Sequence, residues 1–255
     1  ELKDSGGNVA SSVENIGKIC DAVFIMVMNG NQVKDVVAKL SPGLKDDGII
    51  IVTATITPEE IRSAYEIAKK NNIKMIDSPV SGGLQGAHEG TLTLMSAADK
   101  NVFNNCKDIL KSISKDIFHV GKNIGDGQTV KASLQVFIGA TFTAIFESLV
   151  LGSKAGIDGK TLYDVFSSSG VSSPLFKNCA KLIMDRKFEN TGSHISTMYK
   201  DLGISMGMAK EIGVPMFTAS AAFELFQAGI SSYPEGDNWS IVKVLEKMSN
   251  TKVEW

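Results

Sequence analysis

Cysteine is scarce. Cys20, Cys106 and Cys179 are the only three in 255 residues, too few and too far apart for a disulfide framework. No metal-ligand spacing links them, so free thiols in a reducing compartment, the cytoplasm, are expected. Neither charge sign dominates: 26 Lys and Arg stand against 28 Asp and Glu, for a formal net charge of -2. That balance gives no electrostatic footprint for nucleic acid or an anionic membrane surface. No uninterrupted apolar run reaches spanning length, so no membrane helix is expected. The opening Glu1-Leu-Lys-Asp-Ser-Gly-Gly7 is not a secretory signal. His88, His119 and His194 do not cluster, and each reads as structural or superficial. No Ser-His-Asp order, metal triad or Walker loop occurs. Fixed-period repeats and low-complexity segments are also missing. What remains, 43% hydrophobic and 21% charged, is a chain able to bury a sizeable core in one large or two modest domains.

Residues 21–121 alternate short apolar runs with amphipathic stretches. Strands are predicted at Asp21–Met28, Gly48–Thr53, Ile73–Asp77, Thr91–Met95 and Ile117–Val120. Helices are predicted over Asn31–Leu40, from Thr57-Pro58-Glu59-Glu60 onward, and from Asp99 to about Ser114. Thr57 before Pro58, with two acids after it, is a strong helix-start signal. Strands alternating with helices of this length imply a doubly wound, mostly parallel sheet. From Gln128 to about Ala155 there is neither proline nor a polar break. A helix there runs roughly 40 Å at a 1.5 Å rise per residue. Being apolar on most sides, it is expected to be buried. Beyond it every segment reads as helix, with starts near Asp158, Ser173-Pro174, Ser196, Pro215 and Asp237. The fold class is therefore an α/β sheet domain, 1–123, followed by an all-α domain, 124–255, that begins with the long helix near 127–155.

Three places carry candidate chemistry. The first is Asp77-Ser-Pro-Val-Ser-Gly-Gly-Leu-Gln-Gly-Ala-His-Glu-Gly-Thr-Leu92, where Ser81-Gly82-Gly83 follows a strand. Glycines let backbone N–H groups converge on a small anion at the carboxyl end of a strand, which is where open α/β sheets bind ligands; an ordinary glycine turn is the plain alternative. The second is Lys131 in Gly125-Asp-Gly-Gln-Thr-Val-Lys131, near the start of the long helix. Gln128 and Gln135 share its face. A lysine in so apolar a helix either snorkels to the surface or sits desolvated with a lowered pKa suited to proton transfer. The third is Lys200-Asp201, which on composition alone reads as a solvated surface pair. Asn29 and Thr55 each follow a strand and precede a helix, so their loops belong to one rim of the sheet.

In their order and spacing these motifs resemble the β-hydroxyacid dehydrogenase family, which includes 3-hydroxyisobutyrate, tartronate semialdehyde, 6-phosphogluconate and L-threonate dehydrogenases. The resemblance covers essentially the whole chain. It implies an oxidoreductase that interconverts a small hydroxyacid and its carbonyl form with NAD or NADP. By resemblance, Ser81, Gly82 and Gly83 hold the substrate carboxylate and Lys131 is the general acid/base. Gln135 contacts a substrate hydroxyl, Lys200 approaches the nicotinamide, and Asn29 and Thr55 line the cofactor cleft. A homodimer or homotetramer joined through the helical domain is also implied.

Two departures from the family pattern are visible. The pattern opens with a strand, a Gly-x-Gly-x-x-Gly turn, a helix and a second strand, roughly 40 residues that carry the pyrophosphate site. They do not precede Asp21 here, and Gly6-Gly7 follows no strand. A shortened segment of a longer protein is the expectation. Taken literally, such a chain exposes a sheet edge and binds dinucleotide poorly, which leaves a non-catalytic binding or assembly relative as the alternative. Leu134-Gln135 also replaces the Asn-Asn of 3-hydroxyisobutyrate dehydrogenases, which biases the substrate toward a polyhydroxylated acid.

Overall fold

The computed structural model describes residues 3–255. Glu1 and Leu2, part of the stretch read above as no secretory signal, lie outside them. The chain divides into two compact units, the first ending at Lys131 and the second running from Ala132 to Trp255.

The first unit is built on a six-stranded sheet. Strands β1 (Ala22–Ile25), β2 (Ile49–Val52) and β3 (Lys74–Asp77) pair in parallel. The line of β3 continues through Ser78-Pro79 into β4 (Val80–Ser81), and both run antiparallel to β5 (Leu92–Ala97) in one unbroken register. Strand β6 (Ser114–Gly121) pairs in parallel with β5. Because side chains alternate along a strand, Ile25, Ile50, Val52 and Met75 go to one face. There they pack with α2 (Gly30–Leu40) and α3 (Pro58–Lys70). Ile51, Ile76 and Leu94 go to the other face, against α5 (Lys100–Asn105) and α6 (Lys107–Lys111). The start of α3 follows the sequence closely: Thr57 accepts from the Glu60 backbone and Glu60 returns a bond to Thr57, with Pro58 in the first turn.

Four local readings need correction. The first strand stops at Ile25, where the backbone N–H groups of Thr53 and Ala54 both turn to the Ile25 carbonyl; Met26 and Met28 lie exposed. A short helix, α4 (Gly83–Glu89), occupies the span between Ser81 and Leu92 that reads as turn and loop, so His88 is helical. Its glycines and lack of apolar periodicity hide it. The helix expected from Asp99 to Ser114 breaks at Cys106 (φ -100°, ψ 0°) into α5 and α6. An additional helix, α1 (Val13–Ile19), packs its Gly17 so tightly on the Leu40 carbonyl that a Cβ would lie 2.6 Å from the oxygen.

Helix α7 spans Asp126–Lys154, with the division between the units falling inside it. In the second unit its Phe142, Ile145, Phe146, Leu149 and Val150 enter one core with residues of α8 (Gly159–Ser168), α9 (Pro174–Met184), α10 (Ile195–Ile212) and α11 (Phe217–Ser232). A 3-10 turn (Asn238–Ile241) and α12 (Val242–Ser249) complete the unit. Asp158, Ser173 and His194 cap α8, α9 and α10. Asp237 ties the loops: its buried carboxylate accepts from the Thr191 and Ser193 backbones.

By length and mean composition α7 is apolar enough to cross a bilayer, although Lys131, Gln135 and Glu147 interrupt the run and 44% of its most apolar window is buried within the protein itself. One expectation about α7 changes: it is not buried all round. Val130, Ala144, Phe137 and Leu151 form an exposed stripe at seven-residue spacing, with Phe137 at 71% and Leu151 at 73%.

Candidate functional site

In the first unit, the first turn of α7 is seated on the end of β3. Asp77 is fully buried, and its Oδ2 accepts from the backbone N–H of Gly125 (2.9 Å) and of Gln128 (3.2 Å). Its Oδ1 accepts from Gln128 Nε2 at 2.8 Å. Gln128 Nε2 also donates to the Ala54 carbonyl (3.0 Å), and Gln128 Oε1 accepts from Ile56 N–H (3.0 Å). Gly127 makes the seating possible, since a Cβ there would lie 2.5 Å from the Met95 carbonyl oxygen. Burial pushes the Asp77 carboxyl up from 3.8 to about 6; the Gln128 side chain and the backbone donors of Gln128, Gly125 and Gly127 hold it below where burial alone would take it.

Lys131 follows one turn later and is only 6% exposed, so it does not snorkel. A buried lysine is costly unless satisfied, and Lys131 has interactions within the structure. Ser81 ends β4, which continues the β3 line, and the backbone then bends sharply at Gly82 (φ 132°) and Gly83 (φ 62°). Both angles lie in the left-handed region that side chains resist. The start of the helix that carries Lys131 is thus bonded to Asp77 at the end of β3, and the Gly-Gly bend follows at the end of β4 on the same line of chain. Asn29 and Thr55 fall on the rim at the carboxyl ends of β1 and β2. Asn29 Oδ1 accepts from Gln32 N–H (2.9 Å) as the cap of α2. Thr55 is half-buried between the two residues that bond Gln128.

In the second unit, Gln135, 6% exposed, donates from Nε2 to Asp201 Oδ2 at 2.6 Å. Asp201 is 3% exposed, and Lys200 Nζ lies 2.8 Å from its Oδ1. The reading of Lys200-Asp201 as a solvated surface pair is thereby overturned: α10 turns Asp201 inward onto α7. The three histidines serve structure or surface. His88 is exposed, His119 stacks on Phe103 at 4.6 Å and contacts the Ala98 carbonyl, and His194 caps α10.

Sequence reasoning missed Asp77 and the reach of Gln128. The available signals were an acid directly after the apolar pair Met75-Ile76 of a strand and a glutamine three residues before the lysine. Neither reveals a partner more than fifty positions away.

The geometry defines a class: an α/β dinucleotide-binding sheet followed by a helical body, with a buried lysine at the head of the helix linking them in sequence. Residues 1–121 match the family model described as the NAD binding domain of 6-phosphogluconate dehydrogenase. Residues 125–245 match the NAD-binding region of NADP-dependent 3-hydroxyisobutyrate dehydrogenase. The chain is 31% identical to a probable mitochondrial 3-hydroxyisobutyrate dehydrogenase of Dictyostelium discoideum, over 94% of this chain and 78% of that protein. It is 30% identical to a 2-hydroxy-3-oxopropionate reductase of Escherichia coli, over 99% of this chain and 87% of that one. The crystal structure of a 3-hydroxyisobutyrate dehydrogenase from Salmonella typhimurium superposes with a TM-score of 0.87 at 27% identity, covering 95% of this chain and 86% of that one. The chain belongs to the β-hydroxyacid dehydrogenase family, and its class is that of the NAD(P)-dependent oxidoreductases.

Proposed function

We propose that this protein interconverts a small β-hydroxyacid and its carbonyl form, with Lys131 as the proton carrier. One observation carries the reading: Lys131 is buried on a helix seated on the very strand end that leads into Ser81-Gly82-Gly83. NAD or NADP, when bound, supplies the hydride acceptor or donor, and Asn29, Thr55 and Lys200 are the residues that would hold it. In oxidation, neutral Lys131 takes the proton of the substrate hydroxyl; in reduction, protonated Lys131 returns it. The Ser81 hydroxyl and the exposed backbone of Gly82 and Gly83 bind the substrate carboxylate, which fixes the reacting carbon. Gln135 contacts a substrate hydroxyl. Its amide nitrogen is held by Asp201, so Oε1 is the atom it offers, and an acceptor there selects a hydroxyl donor, in keeping with a polyhydroxylated acid. A module that binds without turnover has no use for both a buried lysine and such a bend.

Replacing Lys131 by Ala in protein made from the complete reading frame should lower turnover by about 10²–10⁴, measured as NAD(P)H absorbance against a panel of small hydroxyacids. Near-normal turnover at neutral pH would remove the role.

The exposed Phe137 and Leu151 support a homodimer or homotetramer joined through the helical domain, since large apolar side chains left exposed on one helix favour association.

A further inference from the structure

We propose that Asp77 and Gln128 form a positioning pair that holds Lys131 and the Thr55 loop in a single frame. The inference rests on the reading of Lys131 as proton carrier and goes beyond it. Three separate segments meet at these two side chains: the end of β3, the loop 54–56, and the first turn of α7.

The pair leaves little freedom. Gln128 uses its amide as a two-sided ruler, Oε1 toward Ile56 N–H and Nε2 toward the Ala54 carbonyl, so the residue between them, Thr55, is fixed relative to α7. The same Nε2 meets Asp77 Oδ1, while Asp77 Oδ2 takes two backbone N–H groups of the helix start. Only one orientation of the amide satisfies these bonds, because a flip would face Nε2 to the Ile56 N–H and Oε1 to two oxygens. Lys131 stands three residues past Gln128, on the same face. A shift in the seating therefore moves both the amine and the loop that carries Thr55. A misplacement on the order of 1 Å can cost a catalyst about 10²-fold. The elements packed around Asp77 also carry Asp126 and Lys131 on α7 and Arg62 on α3, the last lying against Gly125. Burial is the largest cause of the raised Asp77 pKa, and the hydrogen bonds from Gln128, Gly125 and Gly127 moderate it.

Two single variants and their double test the pair. Asp77→Asn keeps the shape but sets its own amide against Gln128 Nε2. Gln128→Ala leaves Asp77 its two backbone donors, and so keeps the test open if the first variant folds poorly. Turnover is read by NAD(P)H absorbance with 3-hydroxyisobutyrate or L-threonate, at saturating substrate and cofactor, alongside near-ultraviolet circular dichroism. Amide hydrogen exchange of 54–56 and 126–131 is followed without substrate or cofactor. The expected result is a natively folded variant with kcat at least tenfold lower and each KM changed less than threefold. The double should be no more than twofold slower than the worse single, since the two residues act as a unit. Exchange should rise in both segments together. Folded variants with turnover within twofold of wild type, losses that multiply in the double, or exchange that changes in one segment alone would each overturn the pair, as would a lowered melting temperature with unchanged kcat. Lys131→Ala separates this from the underlying reading. If that variant alone keeps turnover, the proton-carrier role fails; if it is inactive while Asp77→Asn is not, only the positioning role does.

Discussion

Helix α7 meets a buried carboxylate in each unit, and the two meetings differ. In the sheet unit Gln128 donates to Asp77 at 2.8 Å, and the other donors to that carboxylate are backbone N–H groups. In the helical unit Gln135 donates to Asp201 at 2.6 Å, and a cation, Lys200, stands 2.8 Å from the second oxygen. Neutral amides donate to Asp77, and burial pushes its carboxyl up to about 6. Asp201 has a charge beside it. At Asp77 the amide donors hold backbone in place, while at Asp201 a side-chain amide and a cation share one buried carboxylate. The first ties three backbone segments of the sheet unit together, and the second ties α10 to α7 within the helical unit.

The comparison is broken or sharpened most strongly at Lys131, which lies between the two glutamines. Lys131→Arg keeps the charge but cannot give up its proton. Turnover should fall by on the order of 10² or more, and steady-state rates from pH 6 to 9 would show no recovery at alkaline pH. Full activity in the arginine variant would remove proton transfer from the role.

A smaller effect concerns stability at Asp77. Its folded-state pKa, about 6, lies above its ordinary value of 3.8. The folded protein therefore binds this proton more tightly than the unfolded chain, and the stabilisation this brings is present below pH 3.8 and fades as pH rises through 6. The full span amounts to about 3 kcal/mol. Asp77→Asn lacks this titration, so the wild-type advantage over the variant should shrink between pH 4 and 7. Urea midpoints at the two pH values measure it, and a constant difference would contradict the shift.

At the second carboxylate the expected change is up to about tenfold. Gln135→Leu leaves Asp201 without a neutral donor and removes the acceptor offered to substrate. KM for the hydroxyacid should rise by up to about tenfold, as for the loss of one hydrogen bond between neutral groups, with KM for NAD(P) unchanged. An equal rise in both constants would argue for general loosening of α10 on α7. Least affected in turnover should be Phe137→Glu, on the exposed stripe. It should shift sedimentation toward the monomer and leave kcat per chain within twofold, whereas an unchanged sedimentation coefficient would place the contact elsewhere.

The parts legible in advance were those with local causes. Thr57 and Pro58 announce α3 because a cap is satisfied within one turn, and Ile50, Ile51 and Val52 announce β2 because a strand buried on both faces needs apolar side chains throughout. The glycines at 82 and 83 flagged the bend, and their backbone angles require them. Helix α4 was hidden because nothing in Gly83–Glu89 has apolar periodicity. Asp201 was misread because a Lys-Asp dipeptide looks the same on a solvated face as on a buried one.

By itself, the sequence determined the alternation of strands and helices, the long apolar rod after Gly127, and the presence of a lysine and a Ser-Gly-Gly bend, since each rests on neighbours a few residues apart. Only the tertiary structure decided that Asp77 is buried, that Gln128 joins three segments, and that Asp201 faces Gln135. Those bonds span 51 and 66 positions of chain, and the burial that gives them their strength does not exist until the chain has folded.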